Sequence, residues 1–443
     1  MTDMIAPISA AFSRYTRFDP AVPVYQITDG TRPVIHRFFD SSPVSPSERY
    51  IALTEFPFQD RLPVPGDRAA VIVIDLESGA EIYRSETAAW DTQVGAQVQW
   101  GAGDDQLFFN RMDEREWRAF GVRVDPRTGQ EMPLGGTIYH VSADGRLALS
   151  PDLVKITIAQ AGYGVHVPAA RIRSNNGTPD DDGIFVTDLA TGTSRLLVSL
   201  DTIAAAIGRE HFAGGGASYS FHTKWNADAS RIMFILRWFP AGSRKSRNWL
   251  VTLAPDGSDI QVAVSPDRWG DGHHPNWYPV GTRIVMNLPA AQGLSAKFLN
   301  IVGKIGRRLG VAGLGGGVPL RFKRVDADGS NLTSLSPHLG SGHPTIHPSE
   351  RFLLSDSYLN EPPAFKDASI PLRLIDLVSG AYSIVLRIDC KPAFAGPKKE
   401  YRIDPHPAWH ASGRLLAFNG AVNGIRTVFL ADFKDHPLLV SNR

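Results

Sequence analysis

Four histidines recur at one position of a repeated motif. They open the segments HTKWNA, HPNWYP, HPTIHP and HPAWHA, four residues before a turn: His222, His274, His343 and His406. Neutral imidazoles that converge on one point bind divalent ions, whereas protonated rings would repel one another. The single cysteine, Cys390, excludes a cysteine cluster and an internal disulfide. We therefore predict a His-rich site for a divalent ion: zinc, manganese or calcium. The alternative is that the repeat duplicates a structural histidine.

The histidines belong to a longer repeat, in which a polar turn precedes an apolar strand. This unit occurs seven times, starting at Ser45, Gly101, Ser142, Asn226, Tyr278, His347 and His410. A second strand and a turn follow each unit, typically with Asp or Asn and Gly, although the turn of the seventh is degenerate; every repeat thus holds two hairpins and four antiparallel strands. Four such strands make one propeller blade. We predict an all-β fold: a single domain over 1–443, a seven-bladed β-propeller of four-stranded antiparallel blades with short helical insertions.

This fold predicts where the histidines lie. Their position in the repeat lies on the innermost strand of blades four to seven, beside the central channel. Gln97 occupies the same position of the repeat in blade two. The segment 22–28, VPVYQIT, would complete the last blade as its outer strand and close the ring. Two insertions, Ser199 to Phe212 and Ala296 to Gly317, have helical patterns. We interpret them as rim or lid helices, with a membrane-surface or partner helix as the alternative.

Composition narrows the function classes. Lys+Arg number 46 and Asp+Glu 45, so the chain has no overall basic field for nucleic acid. No apolar run is long enough for a membrane span. The N-terminus lacks a signal-peptide pattern, which predicts a cytoplasmic protein, or a periplasmic one if the natural chain starts earlier. The oligomeric state stays open.

Several segments resemble those of propeller-type polysaccharide lyases that act on oligogalacturonate, ulvan or rhamnose–glucuronate linkages. They are HRFFDSSPVSPSERYIAL, QAGYGVHVP, FHTKWNADASRIMFILRW, GHHPNW, GHPTIHPSERFLLSDSY and DPHPAWHASGRLLAFNG. The resemblance runs from about His36 to Asn419 and implies a seven-bladed propeller. It also implies β-elimination on a uronate-containing oligosaccharide or polysaccharide, in which a cation neutralises the carboxylate while an acid and a base move protons. In the family, a metal held by channel histidines is catalytic or structural, depending on the branch.

The resemblance also assigns catalytic candidates. It implies that Tyr163, in the GYG segment, transfers a proton; the alternative is a turn residue that packs on its neighbour. Arg171, Arg173 and Arg237 are the candidates for carboxylate binding, because a guanidinium binds a carboxylate in bidentate fashion. We predict Tyr163, Arg171 and Arg237 as catalytic and Arg173 as substrate-binding.

The second blade departs from the family. Ulvan-type relatives use histidines there, whereas this chain has Gln97, Gln99 and Asn110 in the area. Amides cannot act as a general base, so we predict that these three bind substrate. His166, three residues after Tyr163, becomes the predicted catalytic base, unless the chemistry itself differs. His140 and His36 are alternatives, and His166 is otherwise a solvated loop residue.

Two other function classes remain possible. One is a non-catalytic propeller, related to the translocation protein TolB, that binds a glycan or a protein. The other is a hydrolase on a propeller. The chain has no GxSxG nucleophile motif and no paired acidic motif of a retaining glycosidase. A lyase therefore remains our first prediction and the TolB-like binding module our second.

Overall fold

Seven four-stranded antiparallel sheets form a ring in the computed structural model, which describes residues 8, 10–243, 245–290, 318–396 and 400–436. The predicted seven-bladed propeller is therefore confirmed. Blades 1 to 3, each given from the channel outward, are β2–β5 (Val34–Ile35, Tyr50–Glu55, Ala69–Asp75, Glu81–Thr87), β6–β9 (Gln99–Trp100, Leu107–Asp113, Arg118–Asp125, Gln130–Pro133) and β10–β13 (His140–Val141, Leu147–Ser150, Gly183–Asp188, Ser194–Ser199).

The remaining blades follow the same order. Blades 4 to 6 are β14–β17 (Gly216–Trp225, Ile232–Pro240, Arg247–Leu253, Gln261–Val264), β18–β21 (His273–Trp277, Arg283–Pro289, Leu320–Asp326, Thr333–Leu339) and β22–β25 (Thr345–Ile346, Phe352–Ser355, Ser369–Asp376, Tyr382–Asp389). Blade 7 consists of β26–β28 (Ala408–Trp409, Leu415–Val422, Ile425–Asp432) together with β1 (Val24–Gln26).

The N-terminal strand closes the ring, as the sequence predicted. β1 pairs antiparallel with β28, and Val24 lies opposite Ala431. Apolar clusters fill the spaces between successive blades; one of them joins Leu354 and Leu372 of blade 6 to Leu416 and Phe418 of blade 7. Since each blade buries its faces against two neighbours, closure protects the faces that the first and last blades would otherwise expose.

The turns have the predicted chemistry. In the outer hairpin of blade 1, the Asp75 carboxylate accepts from the Glu77 N–H at 2.8 Å, and Gly79 has φ +76°. This left-handed backbone favours glycine, because a side chain there would be strained. Corresponding Asp–Gly turns end the third strands of blades 2, 3 and 6.

Helices occupy the connections at one end of the blades. The predicted helix at 199–212 is confirmed as α2 (Leu200–Ile207) followed by a 3₁₀ turn (Arg209–Phe212), and Ser199 caps it by accepting from the Thr202 N–H. The structure adds α1 (Leu153–Ala159), α3 (Pro266–Trp269) and a 3₁₀ turn (Ala169–Arg171). The second predicted helix, at 296–317, lies outside the described residues. Among the described helices, none has the length and apolar character that crossing a membrane requires.

Candidate metal centre and surrounding site

The four repeated histidines lie in the central channel; His222, His343 and His406 are buried, and His274 is half-buried. Neighbouring rings pack closely: the centroids of His274 and His343 are 3.9 Å apart, and those of His343 and His406 are 4.3 Å apart. His222 lies across the channel and stacks on Phe38 at 5.1 Å. His274, His343 and His406 lie at or just before the start of an innermost strand, at the end of the channel where the chain enters each new blade, and His222 lies further along the longer strand β14.

An unusual backbone conformation directs these side chains. His222, His274 and His406 have φ values of +52°, +57° and +49°. The ladders of blades 4 and 5 shift register at this point, and such a bulge changes the direction of a side chain. A left-handed non-glycine residue costs about 1–3 kcal/mol and is typical of functional sites.

Blade 6 places its left-handed residue one position earlier. Gly342 has φ +65°, and a Cβ there would lie 2.2 Å from Asp356 Oδ1. The glycine thus lets the backbone approach Asp356, beside His343.

Two of the four histidines form a potential metal site with a carboxylate. One ligand atom each from His343, His406 and Asp404 lies within 4.8 Å of the other two, and all three residues are buried. Among the described residues, neither ring nitrogen of His406 has a hydrogen-bond partner, although both nitrogens are buried. Unpartnered buried nitrogens are costly, and two imidazoles with a carboxylate suit a divalent transition ion. The residues therefore fit the predicted ion.

Asp356 forms hydrogen bonds with both histidines of this group. Its Oδ2 lies 2.9 Å from His343 Nδ1 and accepts from the His406 backbone N–H at 3.2 Å. A carboxylate bonded to Nδ1 fixes the tautomer that leaves the Nε2 lone pair available to a metal. Asp356 is fully buried and follows β23 directly.

The other two histidines make different contacts. His274 Nδ1 lies 2.7 Å from the Gly342 carbonyl oxygen, and its Nε2 lies 3.1 Å from the Tyr358 hydroxyl. His222 Nδ1 bonds to the Tyr139 hydroxyl. Burial lowers the pKa of both histidines well below the usual value, with Lys224 adding to the effect at His222 and His343 at His274. Both rings are therefore neutral at physiological pH. Neither belongs to the three-residue group, so their predicted role as metal ligands stays a prediction.

Sequence reasoning missed an arginine and a tyrosine at the edge of the site. The Arg402 Nε donates to Asp404 Oδ2 at 2.8 Å, and its guanidinium lies 5.3 Å from the Tyr358 ring centroid. A third of the Arg402 side chain is exposed (34%), whereas that of Asp404 is almost fully buried (4%). Arg402 therefore presents a cation to solvent directly beside the potential metal ligands. The Arg–x–Asp–Pro–His spacing was the available sequence signal.

The structure brings Tyr163 and Arg237 beside His222. The Tyr163 ring lies 5.6 Å from the His222 ring and edge-on to it, and Arg237 packs on Phe221 at 4.1 Å. Burial raises the pKa of Tyr163, so its phenol is protonated at neutral pH. Burial lowers the pKa of Arg237 to about 10, which still leaves it charged. Arg237 also donates to the Ala159 carbonyl oxygen at 2.9 Å, at the end of α1.

A short turn in the connection between blades 1 and 2 forms hydrogen bonds with the two glycines on either side of Tyr163. The Gly164 N–H donates to the buried Asp91 carboxylate at 2.8 Å, and the Thr92 hydroxyl donates to the Gly162 carbonyl oxygen at 3.3 Å. Burial raises the pKa of Asp91 to about 7. The position of Tyr163 is thus fixed by residues some 70 positions earlier in the chain.

The other three candidates from this part of the chain lie differently. His166 is half-buried; burial lowers its pKa, and the charge that opposes this effect is Asp67 of blade 1. Arg171 and Arg173 are exposed on the connection between the second and third strands of blade 3. No ring contact between His166 and a channel histidine occurs in the described part of the chain. The structure thus does not group these three with the channel histidines, and their roles stay predictions.

The amides of blade 2 connect it to neighbouring blades. The Asn110 amide oxygen accepts from the Ile138 N–H at 2.8 Å, and its NH2 group donates to the Ile138 carbonyl oxygen at 2.7 Å. Gln99 accepts from the Val141 N–H at 3.0 Å. Gln97 accepts from Arg37 Nε at 2.8 Å. These buried groups therefore tie the ring together, and their predicted contact with substrate stays a prediction.

A five-residue segment of blade 1, His36–Asp40, fills the channel. We call it the hub because it contacts the six other blades. Its contacts include Gln97, the Tyr139 carbonyl, His222 and Lys224, His274, His343, and Asn419 with the Pro405 carbonyl. The other two candidate bases are His36, which belongs to the hub, and His140 of blade 3. Burial lowers the pKa of His36 to about 4 and that of His140 to about 3.

Buried charges hold the hub in place. Asp40 bonds Arg37 at 2.6 Å and Lys224 at 2.9 Å, and the three side chains are about 1% exposed. Burial alone would raise the pKa of Asp40, but the two cations hold it well below the usual value. At the opposite end of the channel from the histidines, Phe39 and Asp40 also line a funnel of about 650 Å³, together with Trp100, Trp225, Trp277 and Trp409. The hub therefore separates the histidine end of the channel from this funnel.

Comparison with known proteins supports the fold. No family model matches the chain, and no curated protein matches its sequence. The structure is similar to an oligogalacturonate lyase solved in complex with manganese, with a TM-score of 0.61, 14% identity and 96% coverage of both chains. An oligogalacturonate lyase from Vibrio parahaemolyticus gives a TM-score of 0.60 and 10% identity, over 96% of this chain and 97% of that one. The resemblance identified from sequence motifs thus agrees with structural similarity over nearly the whole chain.

Proposed function

We propose that this protein is a lyase that cleaves uronic-acid-containing oligosaccharides by β-elimination, with a divalent ion held by His343, His406 and Asp404. The observation that carries the proposal is the unpartnered His406 ring within a buried two-histidine, one-carboxylate group. The similar lyase that was solved with manganese supports it. The ion, when bound, would supply positive charge beside the substrate carboxylate.

The chain's own residues provide the other requirements of β-elimination. We assign Arg402 to bind the uronate carboxylate, since it is a cation beside Asp404 whose side chain is one third exposed and whose terminal nitrogens have no partner among the described residues. A neutralised carboxylate makes the proton on the adjacent carbon more acidic. Arg237, which is more deeply enclosed, would hold positive charge near Tyr163.

His222 and Tyr163 form the proposed proton-transfer pair. His222 is neutral, and in the tautomer whose Nδ1–H donates to the Tyr139 oxygen, Nε2 carries the lone pair and accepts the C5 proton. Tyr163 is protonated because burial raises its pKa, so it donates to the leaving oxygen. The His222 ring is 5.6 Å from the Tyr163 ring. This assignment replaces His166 as the proposed base and gives His222 a role other than metal ligation.

The test is an assay for the unsaturated product. Purified protein is incubated with galacturonan, ulvan and rhamnose–glucuronate glycans, and a rise in ultraviolet absorbance reports elimination. Tyr163→Phe should lower kcat by about 10²–10⁴-fold, because only the proton donor is lost. Tyr278→Phe is the matched control, as it removes a buried phenol at the other end of the channel.

The outcomes separate the two function classes. Chelation should abolish activity, and manganese or zinc should restore it. Metal-loaded protein that binds a glycan without forming the unsaturated product would favour the non-catalytic TolB-like module. If Tyr163→Phe and the control retained equal activity, the assignment of Tyr163 would be wrong.

A further inference from the structure

A second cavity lies between the outer parts of blades 2 and 3. Its volume is about 490 Å³, and its walls come from the start of β8, the start of α1 and the strands β12 and β13. Trp117, Phe185 and Leu196 supply aromatic and aliphatic surface, and Arg118 and Arg195 supply charge. We call it the side cleft. It contains none of the residues assigned to the site above.

The two arginines of the side cleft have no acidic partner. Both side chains are exposed, and among the described residues neither forms a salt bridge. In blade 2, which carries Arg118, Arg111 by contrast binds Glu131 through two nitrogens at 2.7 and 2.8 Å. The one acidic residue in the wall, Asp152, accepts from the Val154 and Lys155 N–H groups and caps α1. The side cleft therefore has a positive surplus in a chain of net charge +1.

The aromatic wall limits which anion fits. Trp117 is half-buried in the turn before β8, where its φ of +53° is strained for a bulky residue. A ring held in this way offers a rigid surface to the apolar face of a sugar. Free guanidinium groups nearby suit a carboxylate. An acidic sugar combines both features, whereas inorganic phosphate has no apolar face.

The side cleft is connected to the proposed site through α1. Leu153 and Val154, at the start of this helix, line the side cleft, and Ala159, at its end, accepts the hydrogen bond from Arg237. The Leu153 carbonyl also accepts from the Val165 N–H in the Tyr163 segment. A seven-residue helix is roughly 10 Å long. One extended oligosaccharide is therefore long enough to reach both places.

We propose that the side cleft is an auxiliary binding site for an acidic oligosaccharide, which holds a distal part of a uronate chain. This inference rests on the proposed function, from which it takes the substrate class. It predicts that long chains bind more tightly than short ones, through Arg118, Arg195 and the Trp117 surface.

The test compares chain lengths in two kinds of variant. Arg118→Ala/Arg195→Ala removes both charges, and Ala119→Trp fills the side cleft without changing charge. Arg146→Ala is the matched control, an exposed arginine of blade 3 at the turn after β10. Affinity is measured by fluorescence anisotropy with labelled decagalacturonate and trigalacturonate, and KM is measured with the same oligosaccharides unlabelled.

We expect both side-cleft variants to weaken decamer binding and to raise its KM; for the double arginine variant the change should be about tenfold, as for the loss of two exposed charge pairs. The trimer and the Arg146→Ala control should be unaffected. The difference in decamer affinity between the native protein and the double arginine variant should shrink as salt rises, since exposed charges are screened.

The outcomes for the two proposals differ. Elimination with equal decamer KM in all variants would overturn the side cleft but not the lyase. Decamer binding that depends on Arg118 and Arg195 without elimination would leave the side cleft and overturn the lyase. If the native protein neither bound nor cleaved the decamer, both would be wrong. Equal competition by polyglutamate would show a generic anion surface and would also overturn the inference.

Discussion

Replacing Asp356 by asparagine should weaken metal binding without removing a proposed ligand. Both oxygens of Asp356 accept hydrogen bonds: Oδ1 from the His343 N–H, and Oδ2 from the His343 ring and the His406 N–H. An amide offers one oxygen and one NH2 group. In either orientation, the NH2 of asparagine must therefore face an N–H donor.

The size of the effect follows from this geometry. Loss of a carboxylate that orients a histidine ligand typically lowers metal affinity by about 10–100-fold, or roughly 1.4–2.8 kcal/mol. Because Asp356 contacts both His343 and His406, we expect the upper part of that range. The stabilisation that saturating metal gives to the folded protein should fall by a similar amount.

The assay is a competition titration of manganese and zinc against a chromophoric chelator, with thermal unfolding in parallel. His406→Ala, which removes a ligand, sets the limit of full loss. Asp376→Asn is the matched control, because Asp376 lies in the same blade and pairs with Arg351 instead. Native-like affinity in Asp356→Asn, or retained affinity in His406→Ala, would refute the proposed centre.

Three further predictions concern charged groups. Arg402→Ala should raise KM for uronate substrates by about 10–100-fold with a smaller change in kcat, as expected for a lost charged hydrogen bond; an unchanged KM would contradict its carboxylate role. Burial raises the pKa of Asp91 to about 7 from 3.8, so the folded protein retains a proton that the unfolded chain releases near pH 4. Stability should therefore fall between about pH 4 and 7, by at most about 4 kcal/mol, and urea unfolding of Asp91→Asn should lack this slope. Asp40→Asn should cost about 3–5 kcal/mol in the same assay, since it leaves Arg37 and Lys224 buried beside a neutral group; a loss below about 1 kcal/mol would contradict the role of the hub.

Repetition made the fold predictable. Each turn signal is weak alone, but seven in one register predicted the blades, and the alternating segment before the first of them predicted β1. Helix α1 was missed because its sequence, LVKITIA, is rich in β-branched residues that favour strands. Its helical conformation depends on the Asp152 cap and on burial of Leu153, Ile156 and Ala159. The intrinsic helix propensities of the residues contain information on neither of these contributions.

The site was predictable only where it repeats. His343 and His406 were found because neighbouring blades carry the same residue, whereas Asp404, Asp356 and Arg402 each occur once and have no register to compare. The left-handed backbone at His222 also has no sequence signature, since only a few per cent of non-glycine residues adopt it. The hub was missed for a related reason: its contacts join parts of the chain up to 383 positions apart.

The hub also determines how molecules travel to and from the histidines. Phe38 and Phe39 are 1% exposed and pack against the histidine rings in the middle of the ring of blades, so they block the channel between its two ends. If the protein acts on a glycan, as we propose, that chain could not be threaded through the ring from one face to the other. Under the proposed function, substrate and product would reach and leave the histidines from the same face of the propeller, so product would have to depart before the next substrate molecule binds.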